Sequence, residues 1–197
     1  MTLLSEKIKP FNVILGSKSP RRQELLKHII PHFDIVNVDI NEDFPESMAI
    51  HEVAQYIAEK KANYFLSQQK SNEIYITADT IVILNNQILG KPKDENDAYQ
   101  MLKSLSGKTH LVHTAVAILH KQKIHSFFDE TAVTFYPLSD IEINNYIKHC
   151  KPFDKAGSYG IQDWMGYVGI QKMEGDFFNV MGLPLHRLYR ELNTLLN

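Results

Sequence analysis

One stretch limits what this chain can fold into more than any other. Glu73-Ile74-Tyr75-Ile76-Thr77-Ala78-Asp79-Thr80-Ile81-Val82-Ile83-Leu84 is a β-branched and aromatic run that reads as a single strand. A run this apolar predicts a strand covered on both faces, deep in a sheet. Asp79 breaks the pattern. Burying a lone carboxylate is costly unless a cation or hydrogen bonds compensate. Asp79 therefore lies at a wet cleft, lies beside a cation, or has a raised pKa, and each of these makes it a candidate for chemistry. The alternative is a carboxylate that caps a bulge or turn.

The chain around this strand has the composition of an ordinary soluble globular protein, 197 residues with 44% hydrophobic and 22% charged side chains. That length fits one domain spanning residues 1–197, or two small lobes sharing a groove; no repeat or linker divides it. A net charge of −2 lacks the basic excess of polyanion binders, so no nucleic-acid polymer is expected as partner and any anion site must be local. Cys150 is the single cysteine, which excludes an internal disulfide framework and suits a reducing compartment. It precedes Lys151-Pro152 at an expected helix end and reads as structural. Met1 to Pro10 holds no long apolar segment, and no later run approaches membrane-spanning length. The expectation is a cytoplasmic protein with no membrane partner.

Phe11 to Leu15 reads as a first strand, and Ser19 with Pro20 opens a helix through Ile29 as N-cap and first helical residue. Strand, Gly-Ser loop and helix N-terminus make an anion site, because free backbone N–H groups and the positive dipole end point at the loop. Arg21 and Arg22 in the first turn oppose that dipole, which makes sense when an anion binds between them; guanidinium forks suit phosphate oxygens. The loop lacks the spacing of a Walker motif. Phe33 to Val38 reads as a second strand running into the acidic loop Asp39 to Asp43, whose Glu42 and neighbours are oxygen donors of the kind divalent cations prefer. Met48 to Gln69 predicts an amphipathic helix with Val53, Ile57, Tyr64 and Phe65 on one side. It carries Lys60 and Lys61, and the residues alone leave open which of them reaches a cleft.

After the central strand, Asn85-Asn86-Gln87 predicts a hairpin turn with Ile88-Leu89 pairing back, and Gly90-Lys91-Pro92 brings a cation to its end. Asp94 or Asn96 caps a helix whose inner stripe is Ala98, Met101, Leu102 and Leu105. His110 to Leu119 and Lys123 to Tyr136 predict an antiparallel hairpin of two long strands; His110 and His113, on opposite faces, read as strand surface or satisfied core. Ser139 or Asp140 caps a helix through Ile147. Phe153 to Asp163 is a Gly-rich loop with adjacent acid and base, a type that often carries binding groups. Gly166 to Met173 predicts another strand, and Leu185, Leu188, Leu192 and Leu195 mark a last helix.

Several blocks together resemble a known family. Gly16-Ser17-Lys18-Ser19-Pro20-Arg21-Arg22-Gln23-Glu24-Leu25-Leu26 resembles the signature opening of the Maf family of nucleoside triphosphate pyrophosphatases. Ala78-Asp79-Thr80-Ile81-Val82, Gly90-Lys91-Pro92, Leu105-Ser106-Gly107-Lys108-Thr109-His110 and Asp154 to Gln162 resemble its other blocks, in the same order, from about Ile14 to Leu185. Gly16 stands where the family often has Ala. The resemblance implies an α/β fold with a mixed twisted sheet flanked by helices, two lobes around a central cleft, as in inosine triphosphatase. It implies hydrolysis of a nucleoside triphosphate to monophosphate and pyrophosphate with a divalent cation, Mg²⁺ or Mn²⁺, and leaves room for a homodimer. The acid–base role maps onto Asp79, phosphate contacts onto Ser17, Arg21, Arg22, Lys61 and Lys91, and the metal carboxylates onto Asp79 and Glu42. The positions tied to base choice map onto Arg21, Thr80 and Gln162, whose identities resemble the dTTP/UTP branch. Alternatives are the methylated-GTP branch and a non-catalytic nucleotide-binding regulator of cell division.

Overall fold

The computed structural model describes residues 3–197. In chain order the elements are α1 (Leu4–Lys7), β1 (Asn12–Gly16), α2 (Pro20–Lys27), β2 (Asp34–Ile35), α3 (Ile50–Asn63), β3 (Glu73–Leu84), β4 (Gln87–Leu89) and α4 (Glu95–Leu105). Then follow β5 (Thr109–His120), β6 (Lys123–Phe135), α5 (Asp140–Cys150), a 3-10 turn (Ala156–Ser158), α6 (Trp164–Val168), β7 (Ile170–Glu174), α7 (Phe177–Met181) and α8 (Leu185–Leu195). The strands form one mixed sheet in the order β2-β1-β3-β5-β6-β7, with β4 paired to β3, and helices complete the α/β class expected from the sequence. No helix among the described residues is long and apolar enough to cross a membrane.

The chain divides into two compact units. The first comprises residues up to Asp79, Thr114–Asp129 and Gly182–Asn197; the second comprises Thr80–His113 and Glu130–Met181. In the first, β1 pairs in parallel with β2 and with β3, from Asn12↔Glu73 to Gly16↔Thr77. Parallel neighbours need crossovers, which α2 and α3 supply. Residues Glu73 to Asp79 of β3 are all buried, as a strand covered on both faces requires. Leu25 and Leu26 of α2, Val53, Ala54, Ile57 and Ala58 of α3, and Leu188 and Leu192 of α8 bury their apolar stripes in the same unit. Phe65 stacks on Tyr75 at 4.4 Å between ring centroids. A Cβ at Gly16 would meet Phe65 Cε2 and Thr77 Cγ2 at 2.8 Å, so in this chain the crowding of β1 by those side chains selects glycine.

In the second unit, β4 returns along β3 (Val82↔Leu89, Leu84↔Gln87), and Asn85 and Asn86 take the positive φ values, 50° and 61°, of a two-residue hairpin turn. In the first unit, Lys121 and Gln122 make a like turn between β5 and β6, a length that joins only antiparallel strands. Asp94 caps α4 by accepting from Asp97 N at 2.8 Å, and Ser139 caps α5 through a reciprocal box with Glu142. The core packs Val82, Leu102, Leu105, Phe135, Tyr146, Ile147, Tyr159 and Met165 together, with Cys150 half-buried against it.

Several expectations are corrected. The second strand shrinks to Asp34–Ile35, because the segment is exposed and Asp34 Oδ2 is taken by Asn12 Nδ2 at 3.0 Å. The helix expected over 48–69 spans Ile50–Asn63; the polar run beyond Phe65 offers no apolar face, and Tyr64 is exposed rather than inward. Ser19 caps α2 by position only: its side chain makes no cap bond, and its N–H donates to Ser17 Oγ at 3.2 Å. The strand expected from Gly166 begins at Ile170, because Trp164–Val168 is helical. A Cβ at Gly166 would lie 1.7 Å from Ile161 O, so the tight turn there belongs to glycine. For His110 and His113, read as strand surface or core, the structure takes the core alternative: both are buried.

Candidate active site

The first unit holds six of the residues singled out from the sequence: Ser17, Arg21, Arg22, Glu42, Lys61 and Asp79. Ser17 directly follows β1 and is buried, with its Oγ beside the first turn of α2. Arg22, on that turn, reaches back across the chain: its Nε donates to Gly182 O at 2.8 Å and its Nη1 to Ala78 O at 2.8 Å. The fork thereby ties α2 to the residue before Asp79 and to the turn that opens α8. Burial holds the Arg22 pKa below its usual value, and the neighbouring Arg21 charge pushes the same way, while Asp79 and Glu42 oppose.

Asp79 is 8% exposed. Burial raises its carboxyl pKa; Lys61 and Arg22 pull it down, and Glu42 adds to the rise. Lys61 Nζ lies 2.7 Å from Asp79 Oδ1 and 2.7 Å from Glu42 Oε1, with the lysine side chain only 9% exposed. The strand therefore satisfies its buried acid with a cation, as one of the alternatives required. The structure also decides between the two lysines. Lys60 Nζ turns away to Asp43 O at 3.1 Å and over the Tyr56 ring. Adjacent helical positions point about 100° apart, so only one of them faces β3.

Two carboxylates that converge on one ammonium mark a position for positive charge. Their hard oxygen donors are of the kind Mg²⁺ and Mn²⁺ prefer, so Asp79 and Glu42 are the residues that could hold such an ion. Arg21 stands on the same turn as Arg22, half-buried.

Thr80, Lys91 and Gln162 belong to the second unit. Thr80 follows Asp79 on β3 and is half-buried; Lys91 is exposed just beyond β4. Gly90 O accepts from Gly157 N at 3.0 Å, which joins the Gly-Lys-Pro turn to the Asp154–Asp163 loop. Gln162, at the end of that loop, holds its side-chain oxygen enclosed with no hydrogen-bond partner. The loop itself is pinned by residues that sequence reasoning passed over. Tyr146 OH accepts from Gly160 N at 3.0 Å and donates to Asp163 Oδ2 at 3.0 Å, while Lys155 Nζ lies 2.9 Å from Asp154 and 3.5 Å from Asp163. Nothing local in the sequence marks Tyr146 out from other apolar positions of α5. The carbonyls of Ala78 and Gly182 were likewise missed, since backbone acceptors leave no residue-type signature.

Comparison with known proteins places the chain. The family described as Maf-like protein matches residues 12–195. A Porphyromonas gingivalis protein described as dTTP/UTP pyrophosphatase is 46% identical over 190 residues, covering 95% of this chain and 96% of that protein. A Flavobacterium johnsoniae protein of the same description is 46% identical over 193 residues, 98% of this chain and all of that one (100%). One from Bacteroides thetaiotaomicron is 41% identical over 186 residues, covering 94% and 96%. A solved structure from Mycobacterium abscessus, described as nucleoside-triphosphatase / dITP/XTP pyrophosphatase, aligns over 95% of this chain and 99% of its own at 14% identity and a TM-score of 0.48. The family match over residues 12–195 and the relatives at 41–46% identity show that the chain belongs to the Maf family.

Proposed function

We propose that this protein hydrolyses dTTP and UTP between the α and β phosphates, releasing the nucleoside monophosphate and pyrophosphate. The observation that carries the reading is Asp79: a buried carboxylate with a raised pKa, in contact with a buried lysine and near an anchored arginine. Full-length likeness to proteins described as dTTP/UTP pyrophosphatases supports the substrate.

A triphosphate carries about four negative charges, and its hydrolysis is accelerated mainly by positioning and charge neutralisation. Ser17, Arg21, Arg22, Lys61 and Lys91 bind the phosphates. Arg22 is held by two backbone carbonyls, so its guanidinium is fixed before substrate arrives and loses little freedom on binding. Asp79 takes a proton from the attacking water; burial lifts its basicity toward the working pH, where a general base is most effective. A divalent ion held by Asp79 and Glu42 supplies further neutralisation of the polyphosphate when bound. Water attacks the α phosphorus, the bond to the bridging oxygen breaks, and pyrophosphate leaves. Arg21, Thr80 and Gln162 select the base. The enclosed Gln162 oxygen is an acceptor, suited to the N3–H that uracil and thymine carry and cytosine lacks. The reaction belongs in the cytoplasm, a reducing compartment in keeping with a lone cysteine.

The test is pyrophosphate release from dTTP, UTP, dCTP, CTP, GTP and 7-methyl-GTP with Mg²⁺ or Mn²⁺. Turnover of dTTP and UTP at least ~100-fold above dCTP and CTP is expected, the discrimination typical of a buried polar reader. Preference for 7-methyl-GTP moves the protein to the methylated-GTP branch. Binding without turnover of any nucleotide makes it a regulator.

A further inference from the structure

We propose that Lys61 is the resting occupant of the cation position between Asp79 and Glu42, so that the protein admits a divalent ion only together with the polyphosphate. The inference rests on the pyrophosphatase reading and adds an order of binding to it.

The geometry is that of a filled site. Lys61 Nζ sits 2.7 Å from one oxygen of each carboxylate, the length of a charge-assisted contact to both. An ion that takes the same oxygens at about 2.0–2.1 Å, as Mg²⁺ requires, would share its position with the ammonium. Two like charges cannot hold those oxygens at once, least of all where solvent screening is weak; the Lys61 and Asp79 side chains are only 9% and 11% exposed. Entry of the ion therefore demands exit of the lysine.

The exit needs an acceptor. Lys61 is buried, so a withdrawn ammonium without a partner would be a desolvated lone charge. Arg22, whose charge acts on Asp79 and Glu42, adds positive charge nearby, which makes withdrawal without an anion still less favourable. A triphosphate supplies the missing partner. Its oxygens accept the ammonium, whose four-carbon stem swings while its helix stays in place. The exchange is balanced in charge: lysine moves from carboxylate to phosphate, and the divalent ion, carried in on the same phosphates, takes the carboxylates. A protein built this way holds its site closed to free metal and intact in its absence.

Mn²⁺ binding, read by calorimetry and by the electron paramagnetic resonance of free Mn²⁺, tests this without turnover. Nucleotide-free wild-type protein should bind Mn²⁺ at least ~10-fold more weakly than nucleotide-free Lys61→Gln, a difference of about 1.4 kcal/mol. The gain should vanish in Lys61→Gln/Glu42→Gln, which locates it at these carboxylates. Equal affinity of wild type and Lys61→Gln overturns the proposal. A second readout needs no variant: in ¹⁵N-labelled wild type, sub-stoichiometric Mn²⁺ should leave the Ala78, Asp79 and Thr80 amide signals sharp until an α,β-methylene analogue of UTP is added. Broadening of those signals by Mn²⁺ alone overturns it as well. Loss of turnover on every nucleotide, with the Mn²⁺ difference intact, would sink the pyrophosphatase reading and leave the lysine in its place.

Discussion

Replacing Asp79 by Asn should disable the enzyme and stabilise the fold at the same time. The amide has the shape of the carboxylate and still accepts from Lys61 Nζ, which now lies at 2.7 Å. Exchanging the ion pair for an ammonium-to-amide hydrogen bond gives up roughly 1 kcal/mol. Against that, the variant no longer desolvates a carboxylate, a penalty of several kcal/mol per buried ion before its partners offset it. Burial raises the Asp79 pKa against the pull of Lys61 and Arg22, and the neighbouring Glu42 charge adds to the rise, so relief of both favours the amide. A net gain of about 1 kcal/mol follows, the usual size when a strained active-site group is relieved. For a chain of this length that raises Tm by about 2–4 °C. The sign with pH is fixed by linkage. A carboxyl whose folded pKa is raised binds its proton more tightly in the folded state, so wild-type stability is fully present below about pH 3.9 and declines as pH rises through the folded pKa. The advantage of Asn is therefore complete at pH 8 and fades on acidification. Thermal unfolding of both proteins from pH 4 to pH 8, with pyrophosphate release alongside, reads all of this. Turnover should fall at least ~100-fold. A lower Tm for the variant at pH 8, an advantage that does not fade with acid, or turnover within a few-fold of wild type would refute the reasoning.

Other substitutions probe the frame. Gly16→Ala should destabilise this chain by about 1–3 kcal/mol, because the new Cβ meets Phe65 and Thr77 at 2.8 Å; the Tm reports it, and Phe65→Leu in the same chain should recover part of the loss. Arg22→Lys should lose about 1.5–3 kcal/mol in urea unfolding, since one ammonium cannot serve the carbonyls of both Ala78 and Gly182 as the fork does. His110 is buried with its pKa pushed down to about 4, its Nε2 2.7 Å from Tyr159 OH. Its stabilisation is complete above pH 6.5 and is lost as pH falls through about 4. At about 1.4 kcal/mol per pH unit this comes to roughly 3 kcal/mol, and His110→Gln should flatten the urea midpoint across that window.

Much of this was legible beforehand, and the reasons differ by element. Glu73–Leu84 could be read to its ends because β-branched residues, burial on both faces and the Asn85-Asn86 turn agree. The caps were legible to within a choice of two, Asp94 or Asn96 and Ser139 or Asp140, because an N-cap is a local bond within one turn; the structure takes Asp94 and Ser139. Asp79 stood out because a charge in an apolar strand needs a partner, although the strand does not say which. The partner, Lys61, depends on the angle at which α3 packs on the sheet, and a helix pattern blurs two adjacent lysines. Arg22 was legible as a cation against the helix dipole, but its anchors were not: Gly182 lies 160 residues away and offers only a carbonyl. Trp164–Val168 misled because its aromatic and branched residues favour a strand, while the packing of Gly166 against Ile161 turns the chain instead.

The central claim is that water is delivered to the α phosphorus of a pyrimidine nucleoside triphosphate. Hydrolysis of dTTP in H₂¹⁸O followed by mass spectrometry tests it directly. One ¹⁸O atom in the dTMP and none in the pyrophosphate is the result expected here. Label in the pyrophosphate, or release of orthophosphate in its place, would contradict it.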